Sequence, residues 1–385
     1  MYRGNLQRTG YYPTDNGSFK GELVWKHIVA GGEITSPATT YNGTVFFGST
    51  GPSEKKQRLW ALDVLSGKAK WSKPLEEQMN LVACISAGYV VVGDGNILRV
   101  FDADKGNERW RIKVKCFLES LAICDKVIYV GERGLSSDEN FLSAFDLETG
   151  AKKWQKAFPN PPVFYPAIAE GTIIAMTQRN QFLGMLAAIC SPNFFDSTLV
   201  AIDCLNGSVK WQASKIPGPA INSPILHENM VFVPYRKGIS AHDIETGEGL
   251  WRWEFEGNSL CGPAAIRENL FLCATSEGIN AKNICTGKSI CKFCVEDHSK
   301  EDEDESIYLE TTTAVSIIGD TAVIGLSDGF LYGVDVTNGK ELWKCEMDEL
   351  EQADIDDRRF NHSWVPVYGD GTIFVGGGNT LYAIR

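Results

Sequence analysis

Four side chains in the last third of the chain have the chemistry to hold a metal: Cys285-x5-Cys291-x2-Cys294-x3-His298. Thiolates and imidazoles are the ligands zinc takes. The spacing departs from that of a zinc knuckle. If the segment is a strand, Cys291 and Cys294 point to opposite faces and Cys285 falls in the turn at its far end. No zinc site is assigned. Five acids in a row, Glu301-Asp302-Glu303-Asp304-Glu305, could attract calcium. They lack the interleaved glycines and carbonyl ligands of a calcium loop and read as a solvated segment. The five histidines form no pair at metal spacing. The chain has no Gly-x-Ser-x-Gly elbow, phosphate-binding glycine loop or His-Glu-x-x-His helix. No catalytic residue and no metal are assigned.

The remaining chemistry is that of binding. Residues 177–196 are unusually apolar for a connection and carry Phe182, Met185, Phe194 and Phe195. They suit a hydrophobic lid or a docking patch, or a short element folded down over the fold's centre. Residues 347–363 mix acids with Arg358, Arg359 and His362, and Trp364 follows. Arginine, histidine and tryptophan together can hold an anionic or sugar ligand by paired hydrogen bonds and stacking. Against this stands a long loop whose charges pair among themselves. Arg179 and Arg236 could complete a basic cluster with Arg358 and Arg359. Residues 49–57, with Lys55 and Lys56, read as an ordinary polar loop.

A repeat must position these groups. An apolar residue, Asp, two variable residues, a small or polar residue, Gly, three residues and then Trp recur along the chain. The pairs are Asp63-Gly67, Asp102-Gly106, Asp146-Gly150, Asp203-Gly207, Asp243-Gly247 and Asp335-Gly339, with Asn283-Gly287 as the variant. Trp71, Trp110, Trp154, Trp211, Trp251 and Trp343 follow four residues after their glycines, and Cys291 takes that place in the sixth copy. Each Asp can bond to the amides of a turn and each Gly can supply a positive φ, so each copy ends in a β-hairpin. Two further strands lie upstream, as at Val45-Phe46-Phe47-Gly48 after the Asn42-Gly43 turn. Each unit is therefore a four-stranded antiparallel propeller blade. The N-terminal Gly21-to-Trp25 segment and the C-terminal Leu381-to-Arg385 segment supply the halves of an eighth. The expected fold is all-β: an eight-bladed β-propeller, residues 1–385 forming a single domain. Its ring is closed by the terminal strands, with blade eight built from about 360–385 plus about 18–28.

Ala144-Phe145-Asp146-Leu147-Glu148-Thr149-Gly150 with Trp154, and Ala241 to Gly247 with Trp251, resemble the repeat of the pyrroloquinoline-quinone-like (PQQ-like), WD40-like propellers. The opening Arg3-Gly4-Asn5-Leu6-Gln7-Arg8-Thr9-Gly10 resembles the lead-in of such chains. The resemblance implies a tryptophan docking motif, each indole lodging against the neighbouring blade. With Cys291 in place of an indole, blade six is expected to make the least rigid contact. The group spans quinoprotein alcohol dehydrogenases, an outer-membrane assembly lipoprotein that binds other proteins, and propellers fused to enzymes. The catalytic members carry a vicinal disulfide, and no adjacent cysteines occur here. No cofactor is expected, neither PQQ nor calcium.

Composition bounds the partners. With 37 Lys+Arg against 49 Asp+Glu, the net charge is -12. That balance argues against nucleic acid, which needs a concentrated basic face, and against anionic membranes. Eleven cysteines, an odd number lying mostly in apolar stretches, suit buried free thiols. With no signal peptide visible, the expected compartment is the cytoplasm. The expected function is that of a monomeric, non-catalytic binding scaffold recognising a protein segment or small ligand at the channel mouth. The alternative is a ligand-sensing or substrate-binding domain of a larger protein. A quinone-dependent oxidoreductase stands behind both.

Overall fold

The structure is a computed structural model. It describes residues 4–14, 19–51, 57–76, 83–134, 140–158, 162–178, 197–216, 223–235, 238–254, 263–275, 278–294, 313–347 and 365–385. Eight sheets of four antiparallel repeat strands make up the chain, the architecture of an eight-bladed β-propeller. In chain order, blades 1 to 7 cover residues 39–75, 84–113, 117–158, 162–216, 225–254, 265–293 and 316–346. In blade 8 the strands Val367–Gly369, Thr372–Gly377 and Thr380–Ile384 are completed by Leu23–Ile28, which pairs antiparallel with Thr380–Ile384. The N-terminal strand therefore closes the C-terminal blade, as the two half-motifs require. The chain packs as two compact units. Leu6–Arg8 and Trp71–Glu254 form one; Tyr2–Asn5, Thr9–Lys70 and Phe255–Arg385 form the other.

The turn chemistry follows the repeat. In blade 1 the Asp63 carboxylate accepts from the Ser66 amide at 2.9 Å and its hydroxyl at 2.8 Å. Asp146 does the same with Thr149, and Asp243 with Thr246. Asn283 keeps the arrangement with its amide oxygen, accepting from the Thr286 amide and hydroxyl at 2.9 and 3.1 Å. These bonds hold the Asp63, Asp146 and Asp243 carboxyls below the usual carboxylate range, as the Lys105 amide does for Asp102 and the Thr337 hydroxyl and amide do for Asp335.

Glycine is required at the turn for a second reason. Gly247 has φ +75, and a Cβ there would stand 2.5 Å from the Trp211 ring of the preceding blade. That indole lies over the glycine and donates to the Ile244 carbonyl at 3.0 Å. Trp25, Trp71, Trp110 and Trp154 likewise donate at 3.0 Å to Val64, Ala103, Leu147 and Cys204. Each acceptor is the residue immediately after the next blade's aspartate. Between blades 6 and 7 the Cys291 thiol donates to the equivalent carbonyl, Val336, with Sγ 3.7 Å from the oxygen. The Lys292 carbonyl oxygen lies 3.0 Å from where a Gly339 Cβ would stand.

Within each unit, neighbouring blades cover the middle strands and bury them. Every residue of Thr44–Ser49 is buried, whereas Leu23–Ile28, a fourth strand, alternates exposed and half-buried positions. Within the first unit, Ile174, Leu199 and Ile216 of blade 4 pack with Leu226, Val231 and Val233 of blade 5. Within the second, Val323 and Leu331 of blade 7 pack with Val367, Ile373 and Val375 of blade 8. Such continuous apolar burial explains strand sequences that read as unbroken Val, Ile, Leu and Phe.

The lead-in is a structural element that repeat counting misses. In the first unit, the Leu6 and Gln7 carbonyls accept from the Ile168 and Leu226 amides. In the second, Thr9, Gly10 and Tyr12 accept from Ile266, Ile317 and Gly319. Tyr11–Tyr12 also pairs parallel with Ser316–Ile318 and adds a fifth strand to blade 7. Arg8 is 1 % exposed with φ +62. Its Nε donates to the Pro166 carbonyl at 3.2 Å and its Nη2 to the Leu121 carbonyl at 3.3 Å. One buried guanidinium thus ties the first strands of blades 3 and 4.

Candidate functional site

The ten predicted contact residues, Arg179, Phe182, Met185, Phe194, Phe195, Arg236, Arg358, Arg359, His362 and Trp364, lie outside the described residues. So do Lys55, Lys56, His298 and the acids 301–305. In chain order, the contact residues fall where a second strand leads to a third or a fourth strand to the next blade. The described structure shows how the strand ends bordering these connections are built.

In blades 1, 2 and 6 a buried polar residue ends the second strand, Ser49, Asp94 and Thr275, and in blade 3 the buried Glu132 stands one residue before the end. Each accepts a hydrogen bond from the third strand, and the donor always stands opposite the position two residues earlier. Trp60, opposite Phe47, donates its indole N–H to Ser49 at 2.8 Å. Arg99, opposite Val92, donates to Asp94 at 2.9 Å. Ser143, opposite Val130, donates its hydroxyl to Glu132. Asn280, opposite Cys273, donates to Thr275 at 2.9 Å. A diagonal polar pair therefore fastens each of these strand ends, at a depth where an unpaired polar group would be costly. Sequence reasoning passed over this set. Its signal is the Gly-Ser, Gly-Asp and Gly-Glu dipeptides at 48–49, 93–94 and 131–132.

Two of these blades carry unusual charge. Arg99 bridges Asp94 and Glu108, and Arg111 joins Glu108 to Glu76 at 2.5 and 2.6 Å. In blade 3, burial pushes the Glu132 carboxyl up, against the Ser143 hydroxyl and the Gln155 amide that favour its charged form. Burial also raises Glu119, although Arg133 lies 2.8 Å away.

The cysteines do not converge. Cys285 donates its thiol to Asn269 at 3.1 Å, while Cys291 faces Val336 across the seam. Among the described residues, no three His, Cys, Asp or Glu side chains gather as a metal would require.

The repeat carries the family. A family model described as outer membrane protein assembly factor BamB matches residues 17–114, 78–226 and 196–385. The chain belongs to the PQQ-like, BamB-like β-propeller family. The BamB of Shewanella oneidensis is 19 % identical, over 85 % of this chain and 82 % of that one. The tetrathionate hydrolase of Acidithiobacillus ferrooxidans is 22 % identical, over 70 % of this chain and 60 % of that one. Among solved structures, BamB from Moraxella catarrhalis has a TM-score of 0.66 at 14 % identity, covering 95 % of this chain and 99 % of that one. A europium-containing methanol dehydrogenase has a TM-score of 0.71 at 14 % identity, covering 98 % and 89 %. These two likenesses establish the fold.

One expectation is overturned. Free cysteines pointed to the cytoplasm, yet relatives from three organisms are outer membrane protein assembly factors, which point away from it. The inference failed for a physical reason. Cys84, Cys116, Cys204, Cys273 and Cys345 are buried and in no disulfide. They behave as small apolar side chains, so they report packing and not redox environment.

Proposed function

We propose that this chain is a non-catalytic scaffold that binds a protein segment, as one propeller domain spanning residues 1–385. The observation carrying this reading is the use of the repeat residues. Aspartates and glycines are spent on turns, and indoles on blade seams. The family's assembly-factor relatives support a protein as the partner. On this reading the contacts are the apolar segment 181–195 together with Arg179, Arg236, Arg358, Arg359, His362 and Trp364. Apolar anchors flanked by arginine and tryptophan are the composition of interface centres. Affinity capture with the full chain and with a deletion of 181–195 tests it. Loss of the partner on deletion is expected, and equal recovery removes that segment from the interface.

The dehydrogenase fold match favours a second reading, an enzyme carrying a quinone and a metal. A cofactor-difference spectrum with metal analysis on purified protein separates the two. A stoichiometric quinone or metal signal overturns the scaffold reading.

A further inference from the structure

The fourth strands are the exposed edges of the blades, and unpaired edge backbone invites another strand. Three of these edges carry a common protection. The residue before the docking Trp is a β-bulge, visible as the register break at Arg109 in blade 2 and Lys153 in blade 3. In these blades the bulged residue is basic and folds back onto the repeat aspartate: Arg109 to Asp102 at 2.9 Å and Lys153 to Asp146 at 3.4 Å. Lys70, before Trp71, reaches Asp63 at 3.6 Å.

The edges of blades 5, 6 and 7, with Leu250, Ile290 and Leu342 at the bulge, lack this protection, and so does that of blade 8. The bulged residue of blade 8 is Val24, and the strand reads Leu23-Val24-Trp25-Lys26-His27-Ile28. Leu23 is 45 % exposed, Val24 42 % and Ile28 56 %. Among the described residues no other fourth strand carries more than one exposed large aliphatic side chain: Val209, Leu250, Ile290 and Leu342 stand singly. From Val24 onward the exposed positions alternate as aliphatic, cation, aliphatic, with Trp25 and His27 half-buried between them. Burial lowers the His27 pKa, so at neutral pH its ring adds no charge. The strand therefore has one cation and no carboxylate, and among the described residues it pairs on one side only, with Thr380–Ile384.

We propose that Leu23–Ile28 is a strand-addition site for an extended partner segment in which aliphatic residues alternate with carboxylates. This rests on the scaffold reading and names a surface and partner chemistry for it. Edge backbone supplies pairing energy, and alternate side chains supply specificity. Cross-strand aliphatic contacts with Val24 and Ile28 and an opposite charge near Lys26 are the favourable pairs. A second copy of this chain is the poorer occupant. Antiparallel self-pairing brings two Lys26 side chains toward one another across the same short strand, and like charges across strands repel.

The probe is a fluorescein-labelled eight-residue peptide of alternating valine and glutamate, with a valine–lysine peptide as comparison. The double variant Val24→Lys, Ile28→Lys places at the bulge the residue type that Lys70 and Lys153 already occupy, so the fold is expected to survive. Circular dichroism and an unchanged melting profile check that. The valine–glutamate peptide should bind the full chain and slow amide exchange at residues 25–28. The double variant should weaken binding at least about tenfold, and Lys26→Glu should reverse the preference between peptides. Absence of binding to the wild type, equal binding by the folded double variant, or protection elsewhere overturns the site. A wild-type dimer in sedimentation that the double variant abolishes assigns the edge to a second copy and also overturns it. Partner capture dependent on 181–195 is unaffected by these outcomes, so failure of this site is distinguishable from failure of the scaffold reading.

Discussion

The Cys291 thiol and the Val336 carbonyl, 3.7 Å apart, make the blade-to-blade bond that indole nitrogens make at the described Trp25, Trp71, Trp110, Trp154 and Trp211 seams. Burial pushes the Cys291 thiol up, with Asp335 adding to the rise, so it remains a protonated donor. The seam keeps its bond and loses its ring. Glycines facing the two kinds of seam should therefore respond differently. Gly247→Ala strains a positive φ and also displaces the Trp211 ring, at a combined cost of about 3 kcal/mol. Gly339→Ala pays the backbone strain against a carbonyl at 3.0 Å, about 1–2 kcal/mol. Urea midpoints measure the difference, and equal losses would contradict the seam geometry.

The docking indoles differ among themselves. Trp211 donates to Ile244, whereas the buried Trp343 Nε1 has no hydrogen-bond partner among the described residues. Replacement by phenylalanine removes the N–H from both, but it breaks a bond only in the first. Trp211→Phe should be the more destabilising by about 1 kcal/mol. Equilibrium denaturation of the pair of variants is the check.

Arg8 should be among the most sensitive positions outside the repeat. Arg8→Ala leaves two buried carbonyls without this donor and keeps a side chain at φ +62. A loss of about 3 kcal/mol is expected, with Arg8→Lys recovering only part of it because lysine lacks the planar fork. Full recovery by lysine would show that charge alone is needed.

Glu132 gives a pH signature. Its folded pKa lies above the ordinary value of 4.5, so the native state binds the proton more readily than the unfolded chain. This group's stabilising contribution is therefore full below the ordinary carboxylate value and is lost as pH rises through the folded pKa. Glu132→Gln retains an oxygen for Ser143 and Gln155. It should match or exceed wild-type stability at neutral pH, and the advantage should shrink on acidification. His242 works in the opposite direction, its pKa lowered by burial against the Gly247 bond that raises it. Its contribution weakens as pH falls below 6.5. Melting temperatures of wild type, Glu132→Gln and His242→Gln across pH 5 to 8 resolve the two terms.

The sequence spoke most clearly where local chemistry repeats. Asp146, Thr149, Gly150 and Trp154 lie within nine residues, and each interaction they make recurs blade after blade. Blade count and the closing strand followed from that. Arg8 could not be read in this way. Its partners, Leu121 and Pro166, are more than a hundred residues distant, and a basic residue in a lead-in carries no mark of burial. The diagonal pairs such as Asp94 with Arg99 were closer to hand, but their register becomes visible only once the strands are aligned. Cys291 showed the limit of substitution logic. Its place in the repeat marked a missing indole, while the bond its thiol makes to Val336 became visible only in the structure.

The eighth blade also constrains how the chain can be made. The Glu22 amide meets the Arg385 carbonyl at 2.7 Å, and Leu23–Ile28 acquires its pairing partner only when Thr380–Ile384 exists. At roughly 5–20 residues per second, synthesis leaves that aliphatic strand waiting for tens of seconds. During this interval the nascent protein carries an adhesive ribbon. Its safe completion depends on the arrival of Thr380–Ile384.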